Sequence, residues 1–214
     1  MVEGFKKIVT NLSYLRMCFA ITTLYYVVTI IQFWYADYAI TIMKQPKETV
    51  FTCFTVVSLT GPVAGVIIGG IVSSKTGGYN NPKTSYLAGF VAVVAVCCAI
   101  PCAFVPIEYF YGQIALLWML LFAGGFMMPI LMGVMMNTVD ETLKTSCIAI
   151  GQFSFNMLGF LPAPYIYGFI ADMGPIIGGN KTQAMAFSLC LSIVCASFVV
   201  YHAFTVRWKN FEHK

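Results

Sequence analysis

Charged residues divide this sequence into six long stretches that contain no Asp, Glu, Lys or Arg. The stretches cover 17–36, 49–74, 84–107, 109–139, 145–171 and 182–206, and they are between 20 and 31 residues long. An α-helix needs about 20 apolar residues to cross the hydrocarbon core of a bilayer. A spanning β-strand would need only about 9–11 residues in strict alternation, whereas these stretches are apolar on all faces. We therefore predict an all-α integral membrane protein.

The composition supports one transmembrane domain over the whole of residues 1–214. Only 9% of the residues are charged, the mean hydropathy is +0.83 and the net charge is +4. Soluble domains carry roughly 25% charged residues, and nucleic-acid binding would need a basic stripe that this chain lacks. The first apolar stretch is too long for a signal peptide, so we expect no cleaved targeting segment. The six helices are predicted at about 17–39, 49–74, 84–106, 111–138, 145–171 and 183–206.

The distribution of basic residues predicts the orientation. If the N-terminus faces the cytoplasm, nine Lys and Arg residues fall in the inner segments and three in the outer loops. Inner segments of membrane proteins are enriched in Lys and Arg. We therefore expect both termini on the cytoplasmic side, with the lipid bilayer as the main partner.

Enzymatic, cofactor and metal chemistry are not indicated. An intramembrane serine protease needs Gly-x-Ser-Gly and a histidine base at membrane depth, but residues 151–154 have the wrong spacing. His202 lies near the inner end of the last helix, and His213 lies in the tail. No phosphate loop is present, and the eight cysteines contain no Cys-x-x-Cys pair. We expect no enzyme activity, no cofactor and no metal.

Polar residues form stripes on two of the predicted helices. In the first helix the spacing places one set of residues on a single face: Thr22, Tyr25, Thr29 and Gln32. In the fifth helix Gln152 and Asn156 share a face with Ala149, Gly159 and Ala163. Amides deep in a bilayer need partners. The stripes are therefore candidate linings of a solute cavity, or alternatively the sites of interhelical hydrogen bonds.

Glycines and prolines indicate close packing and helix breaks. Gly61, Gly65 and Gly69 form a ridge that permits close approach of another helix, from this chain or from a partner. Pro162 and Pro164 interrupt the fifth helix, as in a transporter gate or a packing irregularity.

Acidic residues occur at the predicted outer ends of three helices. Asp37 and Asp172 end the helices that carry the polar stripes, whereas Glu108 does not. Most such residues are ordinary boundary charges. Asp37 and Asp172 are nevertheless the candidates for a site that binds a coupling proton or cation.

The order of these signals resembles the C-terminal half of a major facilitator superfamily transporter, its helices seven to twelve. Residues 5–11 resemble the entry to helix seven. The inner loop of Gly70, Lys75 and Gly77 is similar to the family motif Gly-x3-Asp-Arg-x-Gly, with Ser74 and Lys75 in place of the acid and the arginine. Residues 140–172 resemble helix eleven, and 164–172 are most similar to spinster-like lipid and sugar transporters and also to organic-anion transporters.

The resemblance implies one half of a major facilitator fold, built as a 3+3 inverted repeat. It also implies a second six-helix half and transport of a small organic or lipid-like solute by alternating access. In that reading Gly70, Lys75 and Gly77 belong to a gating loop. The alternative is a transporter-derived structural subunit of a larger membrane complex, without transport activity.

The predicted topology can be tested by cysteine accessibility in a background without native cysteines. Tyr79→Cys and His213→Cys should react with an impermeant maleimide only from the cytoplasmic side, and Gln45→Cys only from the opposite side. Labelling of positions 79 and 45 from the same side would contradict six crossings.

Overall fold

Six long helices form a membrane bundle. The computed structural model describes residues 2–79, 81–172 and 181–212, and no strand occurs within them. Six helical segments, here called spans one to six, are long and apolar enough to cross a membrane: Leu12–Thr41, Lys47–Lys75, Pro82–Phe104, Phe110–Met136, Glu141–Asp172 and Lys181–Thr205. The predicted all-α six-helix membrane fold is confirmed.

Several shorter elements modify the six spans. A helix over Val2–Val9 precedes span one, and a 3₁₀ turn over Ile107–Tyr109 precedes span four. Span five begins with a 3₁₀ turn and then contains three helical pieces: Lys144–Ser154, the π-helical Phe155–Phe160 and Pro162–Asp172. Span six is formed by two helices, Lys181–Cys190 and Ser192–Glu212, and the second continues beyond the apolar part that ends at Thr205.

Span one begins earlier than the charge pattern predicts. The side-chain oxygen of Asn11 accepts hydrogen bonds from the backbone N–H groups of Ser13 (3.0 Å) and Tyr14 (3.3 Å). This N-cap satisfies two of the first free donors of the helix. Arg16 is accommodated inside the helix because its guanidinium lies 4.5 Å from the centre of the Tyr201 ring. A prediction based on stretches without charged residues therefore misses the first turn of span one, which precedes Arg16.

The loop between spans two and three is a structured turn at the end of the bundle where span one begins. That end is here called the inner end, and the opposite end is called the outer end. Gly77 and Gly78 have φ angles of +101° and +77°, which favour glycine. The hydroxyl of Thr84 donates to the carbonyl of Gly78 (2.7 Å), and Asn81 caps span three through the N–H of Lys83 (3.0 Å). The loop thus holds the ends of spans two and three in a defined geometry.

The strongest contacts between spans follow a pattern. They join span one to four, five and six, span four to two and three, and span three to six. This set is unchanged when spans one, two and three exchange with four, five and six. Spans five and six also contact each other, without an equally strong counterpart between spans two and three.

The same pattern appears in burial. Within an apolar stretch of 18 residues in each span, 61% of the residues of span one and 56% of those of span four are buried. The corresponding fractions are 22% in span two and 28% in span five, which are the least buried spans. Spans one and four therefore form the centre of the bundle. Spans two and five expose most of their surface on its outside.

The glycine ridge of span two packs within this chain. A Cβ atom at Gly65 would fall on the backbone of Phe122 and Phe126, and one at Gly69 on the backbone of Phe126. Gly125 of span four faces Pro62 in the same way. Span four therefore occupies the surface of the ridge. The ridge does not require a helix from a separate partner.

Alanine substitutions distinguish glycines that contact the backbone of another span from glycines that have free space around them. We expect Gly65→Ala to destabilise the protein by about 1–3 kcal/mol, because backbone atoms must move. Gly70→Ala is the matched control, since a Cβ there meets nothing within 4 Å. Thermal unfolding in detergent would measure the difference, and equal midpoints for the two variants would contradict the close approach of spans two and four.

Candidate solute cavity

A cavity of about 230 Å³ lies between spans one, two, four and five. Its polar side chains are Tyr25, Thr29 and Gln32, all from span one. The remaining lining is apolar or glycine and comes from all four spans. None of the described lining residues is acidic or basic. The structure thus gathers three of the four predicted stripe residues of span one in one cavity.

The stripe residues of span one differ in their hydrogen bonds. The hydroxyl of Thr29 donates to the carbonyl of Tyr25 (2.7 Å) and is almost fully buried. Thr22 donates in the same way to Cys18 (2.8 Å), but it lies outside the cavity lining, against span five. Gln32 is exposed. The free amide of Gln32 is therefore the most available polar group of the cavity.

The predicted stripe of span five is split by the π-helical segment. Gln152 and Asn156 are exposed, whereas Gly159 and Ala163 are buried. The N–H of Leu161 donates to the carbonyl of Asn156 (2.9 Å), five residues earlier, which shifts the following face around the helix axis. The amide of Asn156 donates to the carbonyl of Gln152 (2.7 Å). Neither amide lines the cavity with Gln32.

Span five is held against span one by its small residues and its aromatic rings. A Cβ at Gly159 would lie 2.6 Å from the carbonyl oxygen of Thr22. Phe155 stacks on Tyr25 with 5.6 Å between ring centres, and Phe160 meets the edge of Phe33 at 6.1 Å. These contacts place Phe160 in the cavity wall.

The opposite side of spans one and four is tightly packed at the depth of the cavity. A gap of about 20 Å³ lies there among spans one, three, four and six, lined almost entirely by apolar side chains. That volume is of the size needed for a single water molecule. Two wider hollows lie elsewhere on that side: about 220 Å³ beside Ser13, Asn137 and His202, and about 250 Å³ between spans three and six.

The predicted cation sites lie away from the cavity lining. Asp37 forms an ion pair with Lys181 at 2.6 Å, and Lys181 also lies 3.4 Å from the hydroxyl of Thr41. Both side chains of the pair are more than one-third exposed. Asp172 is exposed and ends the Pro162–Asp172 helix. Asp37 thus has a structural role at the outer ends of spans one and six.

The residues predicted to form a gate occupy two regions. Gly70 and Lys75 lie on the exposed inner part of span two, and Gly77 lies in the following turn. Pro162 and Pro164 follow the π-helical segment of span five. The first region lies at an inner membrane boundary, and the second adjoins the cavity through Phe160.

A buried polar bridge at the outer end is not evident from the stripe analysis. Tyr35 donates to the side-chain oxygen of Gln113 (3.0 Å), and the Gln113 amide donates to the carbonyl of Cys102 (3.0 Å). Span three ends at Phe104, so the carbonyl of Cys102 is one of the last four of the helix and has no donor within it. Gln113 supplies a donor and joins spans one, three and four. The signal available in the sequence is a glutamine inside an apolar stretch.

One ion pair and two hydrogen bonds join the N-terminal helix and the start of span one to the segment after span four and the start of span five. Lys7 pairs with Asp140, the amide of Asn11 donates to the carbonyl of Thr138 (2.7 Å), and the hydroxyl of Tyr14 donates to the carbonyl of Cys147 (3.1 Å). Asp140 and Cys147 lie on either side of the start of the Lys144–Ser154 helix. Spans one and five are therefore connected at the inner end as well as beside the cavity.

The described residues contain no group of three or more His, Cys, Asp or Glu side chains arranged to hold a metal ion. No protein-family model and no curated protein matches the sequence. The cavity and the surfaces beside it are the features from which a function can be inferred.

The role of the outer ion pair can be measured by a double-mutant cycle. We expect a coupling energy of about 0.2–1 kcal/mol between Asp37→Asn and Lys181→Met, because the pair is partly exposed to water. Thermal unfolding at low salt measures this energy, and 1 M salt should reduce it. Loss of solute flux in Asp37→Asn with unchanged stability would instead assign Asp37 to ion coupling.

Proposed function

We propose that this chain is one half of a secondary active transporter that moves a small organic or lipid-like solute by alternating access. The observation that carries the proposal is the cavity on one side of the bundle centre, open between the least buried spans. The contact pattern of spans one to three and four to six supports the same reading, since three-helix repeats form solute sites near the midplane of transporters. Resemblance to the C-terminal half of major facilitator transporters, including spinster-like ones, is consistent with this architecture.

A second helical bundle is the proposed partner. Span two exposes large apolar side chains along its length, including Phe51, Leu59, Val63, Ile67 and Ile71. Lipid could cover that face, but it would not satisfy the exposed amides of Gln32 and Gln152. An amide without a hydrogen-bond partner in hydrocarbon costs several kcal/mol. A partner bundle that encloses a polar cavity supplies partners for both amides.

Span five has the features of a moving element. Its π-helical turn and two prolines interrupt the regular hydrogen-bond ladder, and such interruptions are common at bends and functional sites. Span four lacks this freedom, because its backbone packs directly on the glycines of span two. We propose that span five changes its angle to span one while spans two and four move as one body.

We also propose that both termini face the cytoplasm. Nine of the twelve basic residues then lie on the inner side. This placement puts the Lys7–Asp140 pair and the Gly77 turn at the cytoplasmic surface.

A structural subunit of a larger membrane complex is the second candidate. The observation in its favour is that all eight acidic residues lie near the ends of the spans or outside the spans. A cation-coupled transporter commonly uses a carboxylate at membrane depth. In this alternative the partner bundle binds the apolar face of span two permanently, and no solute moves.

Cross-linking in native membranes followed by native mass spectrometry tests both proposals. Transport predicts a complex with a second six-helix bundle and a retained solute. Reconstituted together, the two bundles should move that solute, and Gln32→Leu should lower the flux at least tenfold by removing the free amide of the cavity. Gln45→Leu is the matched control, because Gln45 lies outside the cavity and bonds the carbonyl of Met43.

Two outcomes would contradict the half-transporter. One is a chain that stays monomeric in native membranes and still catalyses flux when reconstituted alone. The other is a stable complex with unrelated membrane proteins and no solute flux, which would establish the structural subunit instead.

A further inference from the structure

Two backbone carbonyls in the cavity wall have lost their usual helical donors. In an α-helix the N–H of each residue bonds the carbonyl four residues earlier. Pro129 and Pro164 have no N–H, so the carbonyls of Gly125 and Phe160 lack that partner. Gly125 and Phe160 both line the cavity. Two residues of the cavity wall therefore carry a carbonyl that the regular helix leaves without its usual donor.

The side chains add further acceptor capacity. The hydroxyl of Thr29 donates its proton to the carbonyl of Tyr25, so the hydroxyl oxygen can act only as an acceptor toward another group. Gln32 contributes a carbonyl oxygen as well as an amide donor, and the hydroxyl of Tyr25 can act either way. In hydrocarbon such groups need partners, since no bulk water is available.

The wall that this chain supplies favours an uncharged ligand. Its described lining carries no charged side chain, and its other members are apolar or glycine. Moving an ion against this wall would cost several kcal/mol of desolvation, without an opposite charge from this chain to offset it. An uncharged group that donates hydrogen bonds satisfies the carbonyls without that cost.

We infer that the cavity binds an uncharged amphiphile whose hydroxyl groups donate to the acceptors beside Gly125, Thr29 and Phe160, and whose apolar body lies along the rest of the wall. The inference rests on the proposed transport function for its biological meaning, but binding can be measured separately from flux. It names the chemical class of the solute as a hydroxyl-bearing lipid or a similar neutral molecule.

Photolabelling with matched acyl-chain probes tests this ligand class. The probes carry the same diazirine-labelled chain and differ only in the head: a monoacylglycerol, its methyl ester analogue without a hydroxyl, a fatty acid and an alkylamine. The protein is the native complex isolated in nanodiscs, and labelled peptides are identified by mass spectrometry. We expect the monoacylglycerol to label cavity peptides at least fivefold more than each of the other probes.

Proline variants separate carbonyl recognition from general lipid contact. Pro164→Ala returns an N–H donor to the carbonyl of Phe160 and should reduce monoacylglycerol labelling of the cavity about threefold or more. Pro101→Ala is the matched control, because Pro101 lies in span three outside the cavity lining. Thr29→Val should also weaken labelling, whereas Thr23→Val should not, since only Thr29 lines the cavity. Unfolding midpoints show whether each variant is folded.

The outcomes distinguish this inference from the proposed function. Equal labelling by the methyl ester would overturn the role of the hydroxyl groups, and stronger labelling by the fatty acid or the amine would overturn the uncharged class. Unchanged labelling in folded Pro164→Ala and Thr29→Val would overturn the assigned acceptors. Selective hydroxyl-dependent labelling without flux in the reconstituted complex would support the ligand class and contradict transport.

Discussion

Hydrogen bonding of the backbone within hydrocarbon is the constraint on which this structure depends. A spanning segment that satisfies its N–H and C=O groups internally must be a helix, and six such helices account for most of the chain. The informative places are those where a helix ends or a proline interrupts its hydrogen bonds. At the end of span three the amide of Gln113 donates to the carbonyl of Cys102. At Pro129 and Pro164 the donorless carbonyls belong to residues of the cavity wall.

Spans two and five differ in how their backbones approach the centre of the bundle. Span two lies on span four through Gly61, Gly65, Gly69 and Gly125, where an added Cβ would crowd or overlap backbone atoms at every step. Span five approaches span one closely at Gly159 and otherwise through aromatic rings. The first contact is a continuous backbone contact. The second has fewer close backbone contacts, which is why the proposed change of angle is assigned to span five.

The sequence allows the bundle to be predicted because the cost of burying charge in lipid is large and local. Windows without charged residues locate all six spans. The same criterion fails at Arg16, where a cation–π contact lets the helix begin before the charge. The regular 3.6-residue period locates Tyr25, Thr29 and Gln32 on one cavity wall. It fails in span five, because the π-helical turn moves Gln152 and Asn156 away from the face of Gly159 and Ala163.

The bridge through Gln113 shows why the remaining details lie beyond a periodicity argument. Tyr35 is far in the sequence from Cys102 and Gln113, and no periodic pattern on the separate helices marks these three residues as partners. Their association depends on the bend after span three and on the packing of span one against span four. The same dependence applies to the cavity, where a carbonyl freed by Pro164 in span five lies beside a wall built from spans one, two and four. The proposed recognition of a solute is therefore a property of the assembled bundle, in which interruptions of individual helices become the proposed binding groups.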